Sequence, residues 1–280
     1  MLGHKLLQIL SRRGMEAVGT VRGSANTYAN HPILGSMTLV GGVRAEDVDS
    51  VVNALAAVRP AAVVNCIGIV KQLRAAKDPL ASIYVNALFP HRLAQLCHAA
   101  GARLIHISTD CVFSGRKGRY TEEDVSDAED LYGRTKFLGE VTGPGCLTLR
   151  TSIIGRELAN RASLIEWFIG QRGKTVSGYA RAIYTGLSTL AIADVIVDVL
   201  ERHPDLCGLW HVSSEAISKY ELLNLVNQEF NLGVTIMRDE TFVCDRSLDS
   251  TRFREATGYQ QPSWREMISQ MASDPTPYDR

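Results

Sequence analysis

The stretch Arg103-Leu-Ile-His-Ile-Ser-Thr-Asp110, followed by Tyr132-Gly-Arg-Thr-Lys136, decides the fold. The first is a β-branched, apolar run that ends abruptly in hydroxyl and carboxyl side chains, the pattern of a buried strand delivering polar groups to a loop. The second places a phenol and an amine four residues apart, on one face of a helix. A nearby ammonium favours an ionised phenol, and such a phenol is a usable proton donor near neutral pH. Thr109, at the strand's carboxyl end, supplies a hydroxyl to the same place. This combination points to a reductase.

Outward from that core, apolar periodicity alternates between the two secondary-structure types. Residues 2–10 keep helical spacing and Gly14 stops them; 16–21 and 37–40 read as strands with a helix over 46–58 after them. Ala61-Ala-Val-Val-Asn-Cys-Ile67 reads as a strand buried on both faces. A helix over 79–100 should be kinked or divided at Pro90, and another over 129–141 carries Tyr132 and Lys136, with Ser126 and Glu129 at capping-box spacing. Residues 147–150 make a further strand. Alternation of this kind predicts an α/β fold, a doubly wound parallel (Rossmann-like) sheet whose ligands lie beyond the carboxyl ends of the strands.

Past about residue 150 the alternation loosens into helices near 163–170, 190–202, 218–230 and 263–271, with a strand near 209–212. The expected organisation is a nucleotide-binding domain over 1–150 and a smaller substrate lobe over 151–280, with Trp167 and Trp210 in the lobe core and a frayed tail from Asp274.

Composition narrows the function. The 280 residues carry 30 basic and 30 acidic side chains with no basic tract, so nucleic acid is not an expected partner. Six scattered cysteines lack metal-ligand spacing and suggest reduced thiols in a cytoplasmic protein. His91 and His98 are not read as metal ligands, and His106, among apolar neighbours, reads as a hydrogen-bonded core residue. The most apolar long segment, 187–200, contains Asp194 and Asp198 and does not suit a membrane span.

A nucleotide-binding chain of this class should open with a strand, then a glycine-rich turn, then a helix whose N-terminus meets a pyrophosphate. Here Met1-Leu2-Gly3-His4-Lys5 resembles the last part of such a turn, with Gly3 as its third glycine. The expectation is that the first strand and the start of the turn lie upstream of Met1. The alternative is a relative that has lost its cofactor.

With Thr109, Tyr132 and Lys136, the Met-Leu-Gly-His remnant and Ser108-Thr-Asp-Cys-Val-Phe-Ser-Gly115, the chain resembles the extended short-chain dehydrogenase/reductases, and within them the dTDP-4-dehydrorhamnose reductase group. The resemblance implies that Tyr132 protonates a sugar oxygen, that Lys136 lowers the phenol's pKa and holds the nicotinamide ribose, and that Thr109 hydrogen-bonds the carbonyl. It implies NADP, as NADPH, with NAD not excluded. Its cofactor contacts would be Met1, Leu2, Gly3, Arg22, Gly42, Val43, Cys66, Ile67, Gly68 and Asn86 together with Tyr132 and Lys136, Arg22 meeting the 2′-phosphate. Its substrate contacts would be Thr109, Asp110 and Ile153.

Three departures stand out. Gly41-Gly42-Val43 replaces an acidic residue, Ile153 replaces an aromatic, and Phe242-Val-Cys-Asp-Arg246 replaces an Arg-Pro…Asn-Ser pattern. The implied function is an NADPH-dependent reductase of a nucleotide-linked 4-keto-6-deoxy sugar, serving polysaccharide or glycosylated-product assembly, with a homodimer compatible. Two alternatives stay open: a nucleotide-sugar epimerase or dehydratase holding NAD tightly, and a catalytically idle binding or regulatory subunit.

Overall fold

A computed structural model of the protein describes residues 1–72, 74–159 and 161–278. Helix α1 (Leu2–Arg12) buries Leu2, Leu6, Ile9 and Leu10, and the chain leaves it through Gly14 at φ 72°. Two short strands, β1 (Gly19–Thr20) and β2 (Leu39–Val40), pair in parallel. Helix α2 (Val48–Val58) starts on the Asp47 side chain, which accepts from the Ser50 N–H. After β3 (Ala62–Asn65), the predicted long helix forms in three parts: α3 (Pro79–Ser82), a π-helical stretch over Ile83–Leu88, and α4 (Phe89–Ala99). Pro90 lacks the N–H that a regular helix would use there, and the wider π turn just before it absorbs the misfit.

The central layer follows. Strand β4 (Arg103–Ile107) is joined through a loop to α5 (Leu131–Leu138) and then β5 (Cys146–Arg150). Beyond it lie β6 (Ile153–Ile154), α6 (Leu164–Ile169), β7 (Thr175–Tyr184), β8 (Leu187–Ser188), α7 (Thr189–Arg202) and β9 (Gly208–His211). The chain finishes with β10 (Ile217–Ser218), α8 (Lys219–Glu229), β11 (Thr235–Asp245), α9 (Thr251–Thr257) and α10 (Trp264–Ala272). Strands β3, β4, β5 and β9 form one all-parallel sheet in that order. β10, β7 and β11 form a second sheet, in which β7 and β11 run parallel.

Burial follows position in the sheet. All of β5 is buried, because it has neighbours on both edges and helices on both faces. The expectation that 61–67 is buried on both faces is not met: in β3 only Asn65 is fully buried, since among the described residues β3 pairs with β4 alone. One core joins α1, β5, α7 and α10; fully buried Ile192, Ile196 and Val199 of α7 contribute to it roughly 1.5–3 kcal/mol each. A second core packs α2 and α4 on the opposite face, around Val51, Leu93 and Leu104. Trp210 lies in the first core, whereas Trp167 is 41% exposed and does not. Among the described residues no helix is long and apolar enough to cross a membrane.

The tail is anchored rather than frayed. Nζ of Lys5, on α1, donates to Asp274 Oδ2 at 2.5 Å and to Thr276 Oγ1 at 2.9 Å, with Lys5 and Asp274 both almost wholly buried. Tyr278 completes the seat by meeting His4, hydroxyl to Nε2, at 3.0 Å. Removing one member of a buried pair strands the other charge, which typically costs about 3–5 kcal/mol. Lys5→Ala should therefore lower the unfolding free energy by about that amount in a denaturant titration; an unchanged midpoint would show that the tail contributes nothing.

Candidate active site

The site forms where β4 ends. After Ile107 the chain leaves the sheet with Ser108, whose N–H donates to Leu149 O at 2.8 Å. Thr109 then caps a short turn over Asp110–Val112: its Oγ1 accepts from Cys111 N at 3.1 Å. Helix α5 starts on the Asp130 side chain, which accepts from Gly133 N at 2.9 Å. The cap is therefore Asp130 and not Ser126, whose hydroxyl donates instead to Val112 O.

Two glycines let α5 press against its neighbours. A Cβ on Gly133 would lie 2.2 Å from Cys111 O, and one on Gly139 would lie 1.9 Å from Asn86 O. Only a bare Cα permits either approach, and the first brings the residue beside Gly133, Tyr132, onto the Thr109 turn. Asn86 is buried, and its side chain ties the loop after β3 to this helix. It accepts from Ile69 N at 2.9 Å and donates to Ile69 O at 3.0 Å and to Thr135 Oγ1 at 3.5 Å.

Thr109, Tyr132 and Lys136 thus converge. The Thr109 hydroxyl is within hydrogen-bonding reach of the Tyr132 phenol, whose pKa burial raises, the neighbouring Cys111 and Asp110 adding to the effect. Lys136 is buried, and its Nζ donates to Ile107 O at 2.7 Å with His106 Nε2 at 3.5 Å. Burial pulls its pKa down to about 8, with the Glu140 carboxylate acting the other way. The sequence argument has the ammonium lowering the phenol's pKa. Here the amine turns to a carbonyl, and desolvation of the phenol is the larger effect, so Tyr132 holds its proton firmly.

A buried ion pair fixes the far side. Arg150, on β5, grips Glu140 through Nε–Oε1 and Nη2–Oε2, both at 2.7 Å, while Ser108 Oγ donates to the same Oε1 at 2.7 Å. This bidentate geometry orients the end of α5 against β4 and β5.

Of the other expected cofactor residues, Gly3 lies close to Cys66: a Cβ on it would meet Cys66 Cβ at 3.8 Å. The first turn of α1 has no side-chain cap and no acidic residue, so the backbone N–H groups of Leu2, Gly3 and His4 suit an anion. Gly68 lies beside Asn86, a Cβ there reaching its Oδ1 at 3.5 Å, and Ile67 N donates to Asn65 Oδ1 at 3.0 Å. Gly42 has φ 75° and its N–H meets Gly23 O, while Val43 is buried with its N–H on Val21 O. Arg22 is exposed and paired with Glu46 at 2.6 Å. Ile153 is half-buried in β6, two residues beyond the Thr151 carbonyl that accepts the Asp110 N–H at 3.3 Å.

Beside the expected contact Asp110 stand two cations, Lys219 and Arg246, that no motif announces. Asp110 is buried and its pKa is raised by that burial, although Arg246 and Lys219 pull it down. Lys219 sits over the Tyr184 ring, 3.4 Å from the centroid, and burial lowers its pKa to about 8. Arg246 donates to Phe113 O at 2.8 Å and approaches Cys111 Sγ at 3.9 Å. One signal was available: a cation in the first turn of a helix opposes the macrodipole, and Lys219 directly follows the Ser218 cap of α8.

A family model described as the RmlD substrate binding domain matches residues 1–276. The chain belongs to that family. It is 36% identical over 141 residues to a dTDP-4-dehydrorhamnose reductase of Streptomyces griseus, covering 50% of this chain and 40% of that protein. It is 27% identical over 197 residues to the methionine adenosyltransferase 2 subunit beta of Rattus norvegicus, covering 65% of this chain and 58% of that one. The matched stretches therefore span less than two thirds of either relative. In structure it resembles a dTDP-4-dehydrorhamnose reductase of Bacillus anthracis solved with NADP, with a TM-score of 0.73 and 20% identity, covering 91% of this chain and 97% of that one. That likeness establishes the doubly wound fold.

The tight seat of α5 is open to a direct check. Gly133→Ala forces a methyl against Cys111 O, and overpacking of this kind typically costs about 1–3 kcal/mol. The variant should melt lower than wild type by calorimetry; an unchanged melting temperature would show that the close approach is not required.

Proposed function

We propose that the protein is an NADPH-dependent reductase of a nucleotide-activated 4-keto-6-deoxy sugar. The observation that carries this reading is the convergence of Thr109, Tyr132 and Lys136 at the carboxyl end of β4. In this reading residues 1–150 hold the cofactor and 151–280 the sugar nucleotide. The bound nicotinamide would supply the hydride to the carbonyl carbon. Thr109 donates a hydrogen bond to the carbonyl oxygen, and the Tyr132 phenol gives that oxygen its proton as negative charge develops on it. A phenol whose pKa is raised keeps its proton until a stronger base, the nascent alkoxide, takes it.

The amides of the first turn of α1 would hold the pyrophosphate, and Lys136 the ribose hydroxyls. Asn86, bonded to Ile69 N and O, steadies the adjoining Ile67–Gly68 segment, which would lie against the nicotinamide. Lys219 and Arg246 put two cations on the Asp110 side, suited to the diphosphate of a sugar nucleotide. Ile153 offers an apolar contact to the sugar. The six cysteines are unpaired, which supports a reducing, cytoplasmic setting.

Tyr132→Phe should lower NADPH oxidation with a panel of dTDP- and UDP-linked 4-keto-6-deoxy sugars by about 10²- to 10⁴-fold while NADPH still binds. Wild-type turnover in this variant would remove the mechanism. Tightly held NAD after purification would favour an epimerase, and a folded, NADPH-binding protein inert on every sugar would favour a regulatory subunit.

Cofactor choice is tested separately. The Arg22–Glu46 pair is exposed, and such pairs contribute about 0–1 kcal/mol, so a phosphate can displace the carboxylate. Arg22→Ala should weaken NADPH binding and leave NADH binding unchanged in titration calorimetry. An unaltered NADPH/NADH affinity ratio would remove Arg22 from the 2′-phosphate.

A further inference from the structure

Tyr184 closes β7 with a phenol that nothing in the protein answers. The residue is 3% exposed, and among the described residues its hydroxyl has no hydrogen-bond partner. The ring itself is clamped. Lys219 Nζ lies 3.4 Å from its centroid, Trp264 packs at 5.3 Å between centroids, and a Cβ on Gly186 would lie 2.7 Å from its Cε2. A buried donor left unpaired is costly, and a phenylalanine would fill the same clamp without that cost. Packing therefore does not account for the hydroxyl.

The backbone places this phenol at the candidate site. The Ser152 carbonyl accepts from Leu187 N at 2.7 Å, just past the end of β7, while the neighbouring Thr151 carbonyl accepts from Asp110 N at 3.3 Å. Arg246 joins the same two segments, its N–H on Ile183 O at 3.0 Å and its Nε on Phe113 O at 2.8 Å. Tyr184 and Asp110 thus share one enclosure, and no hydrogen bond joins them. Burial, with the Asp110 charge adding to it, holds the phenol's pKa well above its ordinary value, so the hydroxyl keeps its proton and can donate. Asp110 can accept: Oδ1 takes the Thr109 hydroxyl at 3.2 Å and the Cys111 thiol also bonds the carboxylate, which leaves acceptor capacity unused.

A donor without an acceptor, near an acceptor with room to spare, is the complement of a hydroxyl, which accepts from the one and donates to the other. A methyl would leave both unanswered. Resting on the reading of this site as a reductase of 4-keto-6-deoxy sugars, we propose that Tyr184 is a specificity-determining residue that reads, together with Asp110, the hydroxyl on the sugar carbon next to the carbonyl. In such a sugar the carbonyl carbon C4 has two neighbours: C3 carries a hydroxyl, and C5 carries the methyl. With the carbonyl oxygen on Thr109 and Tyr132, a polar pair that begins at the very next residue, Asp110, matches C3. Lys219 is only half-buried, and its long side chain is the movable wall of the enclosure. Drawn towards the diphosphate of the ligand, it uncovers the phenol.

Tyr184→Phe keeps the ring and its contacts and removes only the oxygen. Without ligand it should melt no lower than wild type, because an unpartnered hydroxyl adds nothing to the fold; a clearly lower melting temperature would assign the hydroxyl a structural bond and overturn the proposal. With NADP⁺ present, titration calorimetry with a dTDP- or UDP-linked 6-deoxyhexose and its 3-deoxy counterpart reads the specificity. Wild type should bind the 3-hydroxy sugar more tightly. Tyr184→Phe should shrink that preference by about 10- to 100-fold while binding the 3-deoxy sugar as wild type does. A preference absent from wild type, or equal in the two proteins, would overturn the proposal. Because the readout is binding, discrimination by a protein that turns over no keto sugar would refute the reductase reading and leave this one standing, whereas turnover with an unmoved preference would do the reverse. Failure of wild type to bind either sugar would overturn both.

Discussion

The hydrogen bond from Lys136 Nζ to the Ile107 carbonyl is the interaction around which the site is organised. An amine taken out of water is costly unless its donors are satisfied. Here the satisfaction comes from the last carbonyl of β4, at the point where the strand stops pairing. The same point releases Ser108 and Thr109 from the sheet, so structural and chemical groups share one short segment. The burial that makes the amine need a partner also holds its pKa at about 8. Burial likewise raises the pKa of the Tyr132 phenol, which therefore stays protonated.

Three polar devices hold this arrangement rigid. Asn86 binds the loop after β3 to Thr135 of α5, the Arg150–Glu140 pair binds the end of α5 to β5, and Asn65 binds His106. Each lies on a different element, and each is satisfied on both sides, as buried polar groups must be. Gly133 and Gly139 contribute by absence of a side chain, allowing backbone contacts that a methyl would block.

The parallel sheet and the convergence of Thr109, Tyr132 and Lys136 were legible in the sequence because both depend on local pattern. The β-branched run through Ile107 and the i, i+4 spacing of Tyr132 and Lys136 need no long-range information. The strands β7 and β11 were missed: charged Arg181, Arg238, Asp239 and Glu240 interrupt their apolar pattern, and their pairing spans distant segments. The anchored tail was missed for the same reason, since Lys5 and Asp274 meet only in the folded chain. Lys219, Arg246 and Glu140 act through position rather than motif. His106 was correctly placed in the core, but its contact with Lys136 depends on how α5 crosses β4.

The account's central claim is that this site moves a hydride to a sugar carbonyl while its own phenol supplies the proton. Incubation of the protein with NADPH deuterated at the transferable position and a dTDP-linked 4-keto-6-deoxy sugar, followed by mass spectrometry and NMR of the product, tests it directly. The account predicts one deuterium at C4 of the sugar and one equivalent of NADP⁺. Sugar recovered without deuterium, or isomerised with no consumption of NADPH, would contradict it.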